Sequence, residues 1–322
     1  MSSEDVKKQN IFSYIGINGG DITFNFTREC DYAQALDCAN ELSSRFSFLD
    51  FAYLGESVMG RGIPLLKFGS GKKNIYFIGA HHGAERITSA IILKFILELC
   101  TCHKSRIKVF GLNTEILAKF YTLIFIPMLN PDGVEIALGK VGEDNLFYER
   151  IVRMNGSCDF TKWQANARGV DLNHNYDAGF DGYKKIEKEL GIFGGAPTRF
   201  SGEHPESEPE TSALCNYFRF FMPRAVMTLH TQGREIYYTS GGKCIRGSMS
   251  LAKQIAYYSG YKLATPSGAA AYGGLTDYLI QKLGVPSFTV ECGKGQNPLP
   301  PKQTSEIYAE LRRAMFTFPT MF

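Results

Sequence analysis

Five short apolar runs set the limits on how this chain can fold. The runs "IPLLKFG", "NIYFIGA", "LIFIPML", "AVMTLHT" and "SFTVE" are too brief for ordinary helices and rich in isoleucine, valine and phenylalanine. Longer amphipathic segments alternate with them, as expected of an α/β domain. The predicted helices cover 86–101, the segment "SEPETSALCNYFRFF", 248–260, 275–283 and 304–317. The second of these opens with Ser207 and Glu210 in capping-box spacing, which predicts side-chain hydrogen bonds to the first free amides. "GSGKK", between two predicted strands, reads as a hairpin turn.

Composition narrows the function classes. With 322 residues, 44% of them hydrophobic, the chain can bury a large core, and no repeat or linker divides it, so one domain is expected. A net charge of +3 is too mild for a nucleic-acid partner. The eight cysteines lack C-x-x-C spacing and the density of a disulfide scaffold, which predicts free, mostly buried thiols. The N-terminal stretch has no apolar core, and the longest apolar run is broken by Lys94 and Glu98, so the expectation is no membrane span and a cytoplasmic location. There is no G-x-S-x-G elbow, Walker loop or dinucleotide fingerprint.

Chemistry gathers where the apolar runs end. "YFIGAHHGAERITSA" carries His82 and Glu85 just after a strand, where ligands of open α/β sheets collect. An imidazole and a carboxylate three residues apart can face one ion, although Glu85 alone could simply favour a helix start. His230 ends a second run and completes a His, Glu, His set that leaves a position open for water, as catalytic zinc requires. Glu291 closes a third run, where a carboxylate needs a task or a partner: either a general base or an ion pair with Lys294. The roughly ninety residues between "LIFIPML" and "AVMTLHT" far exceed an ordinary connection and are expected to shape a site. Within them, Arg168 could stabilise an oxyanion and Asn173 could hold a substrate, or each could be a loop hydrogen-bonder.

"HGAE" (82–85), "NPDG" (130–133), "GVDLNHN" (169–175), "LHT" (229–231) and "FTVE" (288–291), in that order, resemble the zinc metallocarboxypeptidases over about residues 50–300. The resemblance implies a single-domain α/β/α sandwich with a mixed, largely parallel central sheet. It places the catalytic domain at 46–322 and an N-terminal extension, packed on it or leading into it, at 1–45. It further implies one zinc ion per chain held by His82, Glu85 and His230, Glu291 as general base, and Arg168 as the carbonyl-polarising arginine.

Two departures bear on specificity. His174 stands where the digestive enzymes of that family carry the arginine that clamps a terminal carboxylate, and Ala269 stands at a lid tyrosine, for which Tyr272 is a nearby substitute. "AHHGAERITSA", "ANARGVDLNHNY", "LHTQGREIYY" and "FTVECGKGQNPLP" are most similar to the bacterial γ-D-glutamyl-L-diamino acid endopeptidases. That likeness implies a murein-derived peptide substrate, with Thr276 at the base of the leaving-group pocket and Asp277 able to meet an ammonium. Arg234 and Glu235 are further candidates for substrate contact. Alternatives are a carboxypeptidase of other specificity, an N-acyl amino acid deacylase, or a catalytically silent metal-binding protein.

Overall fold

The computed structural model describes residues 24–266 and 268–322. Within it, eight strands form one sheet: β1 (Leu49–Glu56), β2 (Gly62–Phe68), β3 (Lys73–Ile78), β4 (Tyr121–Ile126), β5 (Pro223–Thr231), β6 (Glu235–Tyr237), β7 (Lys262–Ala264) and β8 (Ser287–Cys292). Their order is β1-β2-β4-β3-β5-β8-β6-β7. The four central strands β4, β3, β5 and β8 run parallel, and antiparallel pairs flank them. The five predicted strands are β2, β3, β4, β5 and β8. The sequence signal missed β1, whose exposed face weakens its pattern, and the three-residue strands β6 and β7.

Alternation along the central strands builds two cores. Ile75 and Phe77 of β3 face one side with Leu123, Phe125, Met227 and Leu229, whereas Tyr76 and Ile78 face the other with Ile124, Ile126 and Val226. Helices Tyr32–Arg45, Ile87–Lys104, Ser248–Ser259 and Thr304–Thr317 cover the first face, and Pro209–Phe220 and Leu275–Tyr278 contribute to the second. The result is the expected α/β/α sandwich. Residues 1–23, half of the expected N-terminal extension, lie outside the described residues. All eight cysteines are free, and all but Cys158 and Cys244 are buried. Among the described residues, no helix is long and apolar enough to cross a membrane.

Two local expectations are corrected. "GSGKK" is not a hairpin turn, because β4 lies between β2 and β3. Gly71 instead passes over the Phe120–Tyr121 backbone, so closely that a Cβ would stand 1.9 Å from the Phe120 carbonyl carbon. The Ser207/Glu210 capping box does not form either. Pro209 takes the first helical position with Glu208 as the cap residue, and Glu210 turns into a buried cluster.

Candidate metal centre and active-site pocket

Parallel pairing places His230 on β5 directly beside Glu291 on β8, at the carboxyl ends of both strands. Next to them β3 ends, and the chain turns through His81 and His82 into a short 3-10 turn, Gly83–Glu85. Glu85 reaches across this corner. One carboxylate oxygen lies 3.0 Å from His82 Nδ1, and the other lies 3.1 Å from His230 Nδ1 and accepts the Thr231 amide at 3.2 Å. The three donor atoms fall within 4.8 Å of one another.

Two glycines and an asparagine hold the corner together. Asn130 donates through its side-chain amide to the carbonyls of His81, Gln164 and Ala165, and accepts the amide of Gly133. The His82 turn is thereby tied to the 164–165 loop. A Cβ on Gly83 would stand 2.1 Å from the Gly133 carbonyl oxygen, and one on Gly133 would stand 2.4 Å from that of Ala165. Pro131 starts the helix Pro131–Ala137, and Asp132 accepts from Ser57, Met59 and Arg61. Each residue of "NPDG" therefore has a structural task.

Asp171 is a residue of this corner that the sequence reading passed over. Its Oδ1 lies 3.1 Å from His82 Nε2, and its Oδ2 accepts the Arg199 amide at 2.9 Å. A carboxylate on the far nitrogen of a ligating histidine sets ring orientation and raises its basicity. An acid inside the "GVDLNHN" motif, two residues from the nominated Asn173, was the available signal.

The electrostatics suit a cation. Burial opposes charging His82, yet the carboxylates of Glu85 and Asp171 hold its pKa well above the ordinary histidine value. Burial likewise works against ionised Glu85, but the two histidines bring its pKa down to about 2. Burial and the Glu85 charge push Glu291 well above the usual carboxylate range. His82 Nδ1 is buried and makes no hydrogen bond of proper geometry among the described residues, despite its closeness to Glu85. Two histidines and a carboxylate converging in this way form a donor set that zinc accepts.

A pocket of about 200 Å³ opens onto this corner, lined by all three donors, Glu291 and Asp171. Asn173, His174, Thr276 and Asp277 line it as well. Thr276 forms part of a hydroxyl floor with Ser287 and Thr289, at 3.0 and 2.8 Å. Asp277 accepts from Ser240 and from the Gly274 amide, and burial raises its pKa to about 6. His174 Nδ1 bonds the Tyr272 carbonyl at 2.8 Å, its ring stacks on Tyr183, and burial depresses its pKa. It is thus a neutral group at pH 7.

Arg168 and Tyr272 do not line the pocket. Asn166 accepts the amides of Arg168 and Val170, which turns the loop so that the Arg168 guanidinium points to Glu208, 3.6 Å away. The Tyr272 ring lies along Gly179 and Gly182, and only its carbonyl serves the site, through His174. Arg234 pairs with Glu310 outside the pocket, while Glu235 accepts from Tyr237, which does line it. Glu291 forms no ion pair with Lys294 among the described residues, and Ala269 lines the pocket without a hydroxyl to offer. Gln164, directly after Trp163, and Arg199 are two lining residues that sequence reasoning did not nominate.

A two-histidine, one-glutamate set with a second glutamate beside it, at the strand ends of a mixed α/β sheet, defines a metallohydrolase. The chain belongs to the zinc carboxypeptidase family, whose profile matches residues 35–314. It is a zinc metallopeptidase, similar to γ-D-glutamyl-L-diamino acid endopeptidase 1 of Lysinibacillus sphaericus, at 30% identity over 89% of this chain and 71% of the relative. Carboxypeptidase B of Rattus norvegicus is 26% identical over 74% of this chain and 56% of its own length. Among solved structures, thrombin-activatable fibrinolysis inhibitor superposes with a TM-score of 0.72 at 18% identity, covering 99% of this chain and 80% of that one. Murein-tripeptide amidase MpaA from Escherichia coli O157 does so at 0.51 and 21% identity, covering 84% and 91%.

Proposed function

We propose that this metallopeptidase hydrolyses the amide between γ-D-glutamate and a diamino acid, such as meso-diaminopimelate, in murein peptides. The observation that carries the reading is the likeness to the diamino acid endopeptidase along 89% of the chain. The pocket supports it by offering both charge types, with Asp277 toward an ammonium and Arg199 toward a carboxylate.

In this reading His82 and His230, through Nδ1, and the Glu85 carboxylate would hold one zinc ion per chain. When bound there, zinc acidifies water and polarises the scissile carbonyl. Glu291 takes the proton as the attacking oxygen forms its bond to carbon, and returns it to the leaving nitrogen as the amide breaks. The raised pKa of Glu291 suits both halves of that task. Gln164 serves in place of Arg168 as the side-chain donor toward the developing oxyanion. Its Oε1 accepts from Thr198 at 2.5 Å, which leaves the amide nitrogen as the group that can donate. Asn173 accepts the Leu275 amide through Oδ1, so its NH₂ is likewise free to meet substrate.

The test is incubation of zinc-loaded protein with L-Ala-γ-D-Glu-meso-diaminopimelate, with and without chelator, followed by mass spectrometry. Chelator-sensitive release of diaminopimelate is expected. Intact peptide in the presence of one bound zinc per chain would sink the assignment of substrate.

A further inference from the structure

Among the described residues lining the pocket, Arg199 is the sole lysine or arginine, set against Glu85, Asp171, Asp277 and Glu291. Its backbone has φ +65°, a region that residues bearing a Cβ avoid. Two hydrogen bonds hold it there. The Arg199 amide donates to Asp171 Oδ2 at 2.9 Å, and its carbonyl accepts the Tyr183 hydroxyl at 3.0 Å.

Both anchors belong to the site. Asp171 orients His82, and the Tyr183 ring stacks on His174 with centroids 4.0 Å apart. Arg199 itself has no hydrogen-bonded or ion-paired side-chain partner among the described residues. Arg199 is exposed and its side chain is unpaired among the described residues, while its backbone is held at two points beside the pocket, an arrangement that leaves the guanidinium available to an anionic ligand there.

We propose that Arg199 is a specificity-determining residue that anchors the α-carboxylate of the leaving amino acid. The proposal rests on the peptidase reading above. The NH₂ of Asn173 is available as a second donor to the same carboxylate.

Three peptides decide it: L-Ala-γ-D-Glu-L-Lys, its C-terminal lysinamide, and the analogue whose D-glutamate α-carboxylate is a carboxamide. For the wild type, capping the lysine carboxylate should raise KM roughly 10- to 100-fold with little change in kcat. Arg199→Gln should show that raised KM on the uncapped peptide and lose the distinction from the lysinamide. Retained discrimination overturns the proposal, and so does a penalty that follows the D-glutamate carboxamide instead.

Arg199→Gly relieves the backbone conformation, so its Tm should equal or exceed that of the wild type while discrimination is lost. A lowered Tm in both variants would make the residue structural and overturn the assignment. If the wild type cleaves none of the three peptides, the peptidase reading on this substrate fails separately, and calorimetry of the zinc-loaded protein with L-lysine and L-lysinamide decides for Arg199. Tighter binding of lysine, lost in Arg199→Gln, supports it. Equal binding, or none, overturns it.

Discussion

The two walls of the pocket are built differently. The metal corner stands on adjacent parallel strands, with His230 beside Glu291 in register and His82 one turn beyond β3. The facing wall, with Gln164, Asn173, His174, Arg199 and Thr276, comes from loops and a short helix distant in sequence. Strand ends position a side chain through the sheet itself, whereas loops must be fastened residue by residue. Asn130 and Asn175 do that fastening. Asn175 donates to the Ser201 and His204 carbonyls and accepts from Thr211 and the Glu208 amide. The proposed metal ligands and base thus stand on or beside the rigid strands, and the proposed oxyanion donor and substrate contacts on the adjustable wall.

That contrast can be broken at several points. At the metal corner, Glu291→Gln should lower kcat by about 10²- to 10⁴-fold while metal analysis still finds zinc, whereas His82→Ala should lose metal and activity together. Substantial turnover by Glu291→Gln would remove it as the base. Asp171→Asn should weaken zinc binding by about 10- to 100-fold in chelator competition, because the His82 ring loses its carboxylate partner. An unchanged affinity would show that Asp171 does not orient the His82 ring.

Where the walls are joined, Gly133→Ala should destabilise the fold by about 2 kcal/mol in denaturant titration, since its Cβ would press on the Ala165 carbonyl. Full retention of stability would mean that the 164–165 loop is free to shift.

Behind the pocket, Glu210 is buried beside Asn166 and Asp132, and burial raises its pKa to about 8. A group raised in the folded state contributes stability that is complete below its unfolded value, about 4.5, and is lost as pH rises through about 8. The wild type should therefore lose stability relative to Glu210→Gln across that window, by at most about 1.4 kcal/mol per pH unit. Parallel pH profiles would show that Glu210 is not the titrating group.

The smallest effect is expected at Arg168, turned toward Glu208. Arg168→Ala should change kcat/KM by less than about threefold and stability by at most about 0.5 kcal/mol. A large kcat loss would restore it to the oxyanion role.

The sequence alone was enough for the parallel sheet core, the His82, Glu85, His230 set and the neighbouring Glu291. Each of these residues follows or ends a continuous apolar run, and strand ends in such a sheet converge whatever the loops do. It also placed Asn173 and His174 at the pocket through the "GVDLNHN" motif, and the family likeness added Thr276 and Asp277. Only the tertiary structure decided that Arg168 faces away, that β4 separates β2 from β3, and that Arg199 enters the pocket. A lone arginine in "PTRFS" has no periodicity and no motif. Its position depends on a backbone held by Asp171 and Tyr183, 28 and 16 residues away along the chain, and loop geometry set by such distant hydrogen bonds leaves no local trace in the residues that obey it.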